Sequence, residues 1–223
     1  MNPTKISFVI CVNDDNLYGT CMNHIQALNV PHGYSVEILP IHDAHSMTQA
    51  YNSAIRQSDA KYRVYLHQDV LIINPNFIGD ILTVFMTEPR LGLLGMVGCK
   101  VLPPDGVWWK DHRLFGKVIL PDRILELLPV EGTFEIVDAV DGLLMATQYD
   151  VWWREDLFDG FHLYDTSQCL EFKKHGYLVG VPNQHTPWCK HGFDVPIGNP
   201  DEWSTKAAAY ERNHRIFIKN YLP

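Results

Sequence analysis

The chain has 223 residues, 46% hydrophobic and 20% charged, which suits one globular domain with a substantial core. Its 18 Lys and Arg against 26 Asp and Glu give a formal net charge of −8 with no basic run, which argues against a nucleic-acid groove or an anionic membrane surface as a partner. A nucleotide-sized anion would need local help here, such as a metal ion.

The five cysteines, Cys11, Cys21, Cys99, Cys169 and Cys189, include no CxxC pair and point to reduced thiols rather than a disulfide framework or a structural zinc site. The start, Met1 to Lys5, lacks the pattern of a signal peptide, and no apolar run approaches membrane length. A soluble cytoplasmic protein without a transmembrane segment is expected, with peripheral membrane association left open.

In chain order, Ile6 to Val12 is a continuous apolar run ending on Asn13-Asp14-Asp15, the pattern of a strand buried on both faces. A helix is expected from Leu17 to Leu28, before the turn at Pro31 to Gly33. Val36 to Ile41 reads as a second strand ending on His42-Asp43, and Ser46 with Gln49 has capping-box spacing for a helix through Ala50, Ala54 and Ile55. Tyr62, Val64 and Leu66 alternate with Arg63, Tyr65 and His67 as in a third strand, and the stretch Lys61 to Ile73 meets His67-Gln68-Asp69 on its way to an apolar tail. Pro75 is expected as the first residue of a helix carrying Phe77, Ile78, Ile81, Leu82 and Phe85. Three strand-helix units with polar carboxyl ends make a parallel, doubly wound α/β half, and that edge of an open sheet is where ligands bind.

Gly92 to Val97 is a fourth strand. From Pro103-Pro104 onward the texture changes to turns, aromatics and short strands at 107–109, 116–120, 134–137 and 143–145. No linker marks an independent domain, so one domain is expected, with residues 1–102 binding the nucleotide and 103–223 docked on them as a second substrate's surface. Asp165 to Gln168 again reads as an acid before a helix, which Gly176 closes ahead of a strand over 177–181. Asn199-Pro200 caps a final helix through Tyr210, Ile216 and Phe217.

Tyr51-Asn52, Leu66 to Val70, Asp141-Gly142, Phe158 to Phe161, Tyr164-Asp165, Gly176-Tyr177 and Trp188 to His191 come in an order that resembles the family 2-like glycosyltransferases of the GT-A fold. The likeness is greatest to a bacterial glycosyltransferase-like branch with His-Gln-Asp in place of Asp-x-Asp. The resemblance implies a Rossmann-like nucleotide half with a mostly parallel sheet and helices on both faces, an acceptor-binding half, and a nucleotide-sugar donor. It implies a glycan or glycoconjugate acceptor.

Departure of a nucleoside diphosphate needs a divalent cation or clustered cations, and hard oxygen ligands suit Mn²⁺ or Mg²⁺. Asp69 is the natural carboxylate ligand; the family pattern adds a late histidine, best matched by His191 and less well by His185. His67 stands where an Asp would contact the ribose, next to Gln68. Asp43 matches the position that holds nucleobase or ribose, where a carboxylate accepting from an imide N–H favours uracil or thymine; alternatively it caps the turn before Ser46. Asn13 and Asp14 are expected in the same pocket. Asp165 is the candidate base of an inverting transfer, or the start of a helix through capping-box spacing with Gln168. Asp141 and Gly142 belong to an acceptor and diphosphate wall. Trp108, Trp109, Trp152 and Trp153 stack on sugars or fill the core.

The expected activity is that of a metal-assisted, inverting glycosyltransferase preferring UDP-linked sugars. A sugar nucleotidyltransferase would show a glycine-rich phosphate loop with Arg and Lys after the first strand, which Cys11 to Asp15 does not offer. A catalytically silent module of the same fold stays open, whereas no GxGxxG supports a dehydrogenase.

Overall fold

The fold is described from a computed structural model covering residues 1–193 and 200–222, with backbone alone at 200–204. The capping proposed for Asn199 therefore lies outside the described residues.

The first strand, β1 (Asn2–Val12), is fully buried at Ile6, Phe8, Val9 and Ile10, as its unbroken apolar run requires. Helix α1 (Asp15–Gln26) follows, starting two residues earlier than its apolar pattern suggests because Asp14 caps it. One Asp14 oxygen accepts from Asn16 N at 2.9 Å and Leu17 N at 3.1 Å. Strand β2 (Ser35–His42) leads to α2 (Met47–Gln57), whose first turn is closed by Gln49 N donating to Ser46 Oγ at 3.2 Å. Strand β3 (Ala60–His67) completes the unit.

β1 lies between β2 and β3 and is parallel to both, with Val12 opposite His42 and Cys11 opposite His67. The register has a direct consequence: Asn13, Asp43 and Gln68 emerge at one level of one sheet edge. The apolar tail after Asp69 does not extend β3. It turns and becomes β4 (Val70–Ile72) in a second sheet, so the stretch 61–73 is two strands. Helix α3 (Phe77–Thr87) begins after Asn76, leaving Pro75 in the preceding turn.

Gly92 to Val97 also divides at Met96, into β5 (Leu91–Gly95) and β6 (Val97–Cys99). Trp108–Lys110 forms a 3₁₀ turn where a strand was expected. Next come β7 (Leu114–Ile119), β8 (Ile124–Glu126), β9 (Phe134–Ile136), β10 (Ala139–Val140) and β11 (Leu144–Thr147). Helix α4 (Tyr164–Lys174), β12 (Leu178–Pro182), β13 (Cys189–His191) and α5 (Pro200–Tyr221) complete the chain.

The large sheet runs β2-β1-β3-β11-β5-β12-β9, and the second runs β10-β6-β7-β13-β4 with β8 beside β7. β11 enters antiparallel between β3 and β5, with Leu144 opposite Leu66. The strand therefore begins where β3 ends, which brings Asp141-Gly142 to the same edge; His67 N donates to Leu143 O at 3.0 Å. β13 pairs antiparallel with β4, placing His191 opposite Val70 and so next to Asp69.

Beneath that edge Tyr51, Tyr65, Trp153 and Tyr164 pack with ring centroids 4.6 to 6.1 Å apart. Asn52 holds Trp153 by two reciprocal backbone bonds of 2.9 Å, which gives the Tyr51-Asn52 pair a structural role. A smaller cluster of Phe158, Leu163 and Phe217 seats α5. The five cysteines are free thiols.

Candidate functional site

A cleft of about 970 Å³ opens at the carboxyl ends of β1, β2 and β3 and is lined by Asn13, Asp14, Asp43, His67, Gln68 and Asp69 together with Phe161 and Tyr164. Gln68 fixes its floor. Its carbonyl oxygen accepts from Asn13 N at 2.9 Å and Asp14 N at 3.1 Å, while its amide donates to the Asn13 side chain. Asp14 faces the cleft and caps α1 at once. Asp43 has φ = 54°, a left-handed conformation uncommon outside glycine, and such strain concentrates at binding sites. Its carboxylate makes no hydrogen bond among the described residues, the cap of α2 being supplied by Ser46. It remains available to a ligand.

At one wall three side chains converge. His67 Nδ1 lies 3.4 Å from His191 Nε2, and that nitrogen lies 3.6 Å from Asp69 Oδ2. One ligand atom from each residue falls within 4.8 Å of the others. Two imidazoles and a carboxylate offer N and O donors that suit Mn²⁺ and neighbouring divalent metals. Burial, helped by the nearby His191, lowers the pKa of His67 and favours the neutral ring, the form that can donate a lone pair. The residues present therefore fit a divalent cation. His67, expected at the ribose from its sequence position, thus also belongs to this cluster. Nothing local announced that; the contact joins residues 124 apart.

Asp165 sits on the first turn of α4. Its Oδ2 accepts from Gly142 N at 3.1 Å and its Oδ1 from Thr166 N at 2.7 Å. Burial and the neighbouring Asp141 push its pKa up to about 7. It does not form a capping box with Gln168, whose side chain donates to Val151 O at 2.7 Å. The residue before the helix is Leu163, left-handed at φ = 59° and without a side-chain cap. Asp141 closes a turn by accepting from Leu143 N at 2.8 Å. The close approach that Gly142 permits is to Tyr164: a Cβ there would overlap the Tyr164 hydroxyl. Asp141, Gly142, Asp165 and His191 stand behind or beside the cleft rather than among its lining residues.

His185 lies apart from the cluster, on a separate cleft of about 390 Å³ that also touches Asp80 and Trp188. Of the four tryptophans, Trp108 and Trp153 are buried at 7% and 2% exposure and cannot stack on a sugar, whereas Trp109 and Trp152 are half exposed. Phe161, 52% exposed, lines the cleft instead. Phe161 and Tyr164 were legible only as members of a motif. The neighbouring Asp165 gave the chemical signal there.

Comparison with known proteins adds a family. The sequence profile of a family described as glycosyltransferase-like matches residues 7–221. No curated protein matches the chain significantly. Among solved structures, a mannosyltransferase from Pyrobaculum calidifontis in complex with GDP-Man and Mn²⁺ is similar with a TM-score of 0.59 at 12% identity, over 100% of this chain and 66% of that one. S. aureus TarS is similar with a TM-score of 0.53 at 9% identity, over 92% of this chain and 39% of that one. Residues 1–349 of TarS in complex with UDP-GlcNAc give 0.54 at 10% identity, over 92% and 65%. The chain spans about two thirds or less of the length of these neighbours, and at such identities the likeness extends to the fold.

Proposed function

The chain belongs to the glycosyltransferase-like family, and on that premise we propose that it moves a sugar from a nucleoside diphosphate to a glycan or protein-linked acceptor, with UDP as the preferred nucleotide. The observation that carries this is the convergence of Asp69 and His67, which line a cleft formed by three parallel strand ends, with His191 beside them.

Asp69 and His191 would hold a divalent cation. When bound, Mn²⁺ or Mg²⁺ supplies positive charge that offsets the charge gathering on a departing diphosphate. The chain does the rest. Asp43, with its unengaged carboxylate, accepts from the imide N–H of uracil, and the Gln68-stapled Asn13 and Asp14 shape the surface beside the ribose and phosphates. Asp165 accepts the proton of the acceptor hydroxyl in a transfer that inverts the sugar, since that chemistry needs a carboxylate on the face opposite the leaving group. Gly142 holds Asp165 by its N–H, and the like charge of Asp141 raises the pKa of that carboxyl. In this scheme residues 1–102 serve the donor, joined by His191 at the cation, and the remainder of 103–223 serves the acceptor.

Calorimetric titration with UDP, with and without Mn²⁺, tests it on the wild type and on Asp69→Ala. Metal-dependent binding that disappears in the variant is expected. Equal, metal-indifferent affinity in both proteins would remove Asp69 from the site and the cation with it. Hydrolysis of a panel of sugar nucleotides then separates an enzyme from a silent module.

A further inference from the structure

His67 occupies a place where a carboxylate would bring charge, so its lone pair matters more than its ring. His67 Nε2 lies 2.6 Å from Tyr164 Oη, and that hydroxyl lies 3.3 Å from Gly142 O. A phenol has a single proton and a carbonyl can only accept. Every group in the row is satisfied when Tyr164 donates to Gly142 O and its oxygen accepts from His67 Nε2–H. A neutral imidazole carries one N–H, so this direction leaves Nδ1 with a lone pair, turned toward His191 and Asp69. The reverse direction would put a proton on Nδ1, aim it at the cluster and take the Tyr164 donor away from Gly142 O.

The row is rigid. Tyr164 is 4% exposed and wedged against Tyr51 and Trp153 at 6.0 and 6.1 Å between ring centroids. The next residue, Asp165, grips the N–H of the same Gly142 whose carbonyl Tyr164 contacts. Only glycine leaves room for the phenol there. Which imidazole nitrogen can ligate a metal is set by the hydrogen bond at the other, and partners of that kind commonly change metal affinity 10- to 100-fold.

We infer that Tyr164 is a positioning residue: through its hydrogen bond it holds His67 in the Nε2–H tautomer, making His67 Nδ1 a third cation ligand beside Asp69 and His191. This rests on the cation reading above, yet its core can be measured without a cation. In protein labelled with ¹⁵N at histidine, long-range ¹H–¹⁵N correlation at pH 8 reports the tautomer, with the signal of His67 identified by its absence in His67→Ala. The wild type should show Nε2–H. Tyr164→Phe, which removes only the hydroxyl, should lose that bias and weaken Mn²⁺-dependent UDP binding about tenfold or more. The double variant Tyr164→Phe/His67→Ala should bind no more weakly than His67→Ala alone, because the hydroxyl acts through the ring. An Nδ1–H tautomer in the wild type, or Mn²⁺-dependent binding unchanged in Tyr164→Phe, overturns the inference. If Asp69→Ala loses metal-dependent binding while Tyr164→Phe keeps it, this inference alone has failed; if Asp69→Ala keeps it, the cation reading has failed and the tautomer spectrum still decides what Tyr164 does.

Discussion

Asp165 is held protonated far above the usual carboxylate range, by burial first and by Asp141 second, to a pKa of about 7. Between about pH 4 and pH 7 the folded chain therefore keeps a proton that the unfolded chain has released. The contribution of this group to stability is greatest below that window, falls as pH rises through it and levels off above. Proton acceptance runs the other way, because only the ionised carboxylate can take a proton. We expect kcat/KM to rise with pH with a midpoint near 7, and Asp165→Asn to keep UDP affinity while transfer falls roughly 10²- to 10⁴-fold. Normal turnover by that variant would show that another group takes the proton.

At the scale of elements, α2 and α4 carry the same spacing signal with opposite outcomes. In α2, Ser46 receives Gln49 N, so Ser46→Ala should lower stability by about 1 kcal/mol, read as a shifted urea midpoint with unchanged slope. In α4, Gln168 is recruited by Val151 O and Leu163 stands at the cap position, so a capping-box spacing at Asp165 meant something else. A local signal is legible when its groups have no distant claimant. The same distinction runs through the fold. The strand-helix units of the first half could be read from periodicity because each closes on itself, and the edge bearing Asn13, Asp43 and Asp69 followed from them. The division of 61–73 between two sheets could not be read, since Val70 and Ile72 are as buried in the second sheet as they would have been in the first. Nor could the insertion of β11, because a strand's sequence does not name its neighbour.

At the scale of the whole molecule, the charge of Arg63 is set deep in the core. Arg63 on β3 is 1% exposed, with its guanidinium on Asp150 and on Ser58 O at 2.7 Å. Asp150→Ala would leave that cation buried and unpaired and should cost about 3 kcal/mol, the low end for breaking a buried pair because Asp150 is itself a quarter exposed. Replacing both partners, Arg63→Met with Asp150→Ala, should restore most of the loss in chemical denaturation, since the charge goes with its partner; no recovery would mean that the guanidinium's bond to Ser58 O, not the ion pair, holds β3 in place. The charge pattern of the sequence hid this pair, whose members are 87 residues apart and of ordinary type. The two aromatic clusters divide the work in space: one lies under the cleft, the other seats α5 through Phe217 against Leu163, the residue before Tyr164.

The short strand β13 has a consequence in time. It brings His191 to a turn laid down more than a hundred residues earlier, against β4. The residues of the first three parallel strands leave the ribosome long before that strand does, so the proposed cation site is complete only once the late strand has docked. Nucleotide and cation, bound as proposed, would by mass action hold the late strand against the early one. Ligand capture would then double as a seal on a finished fold.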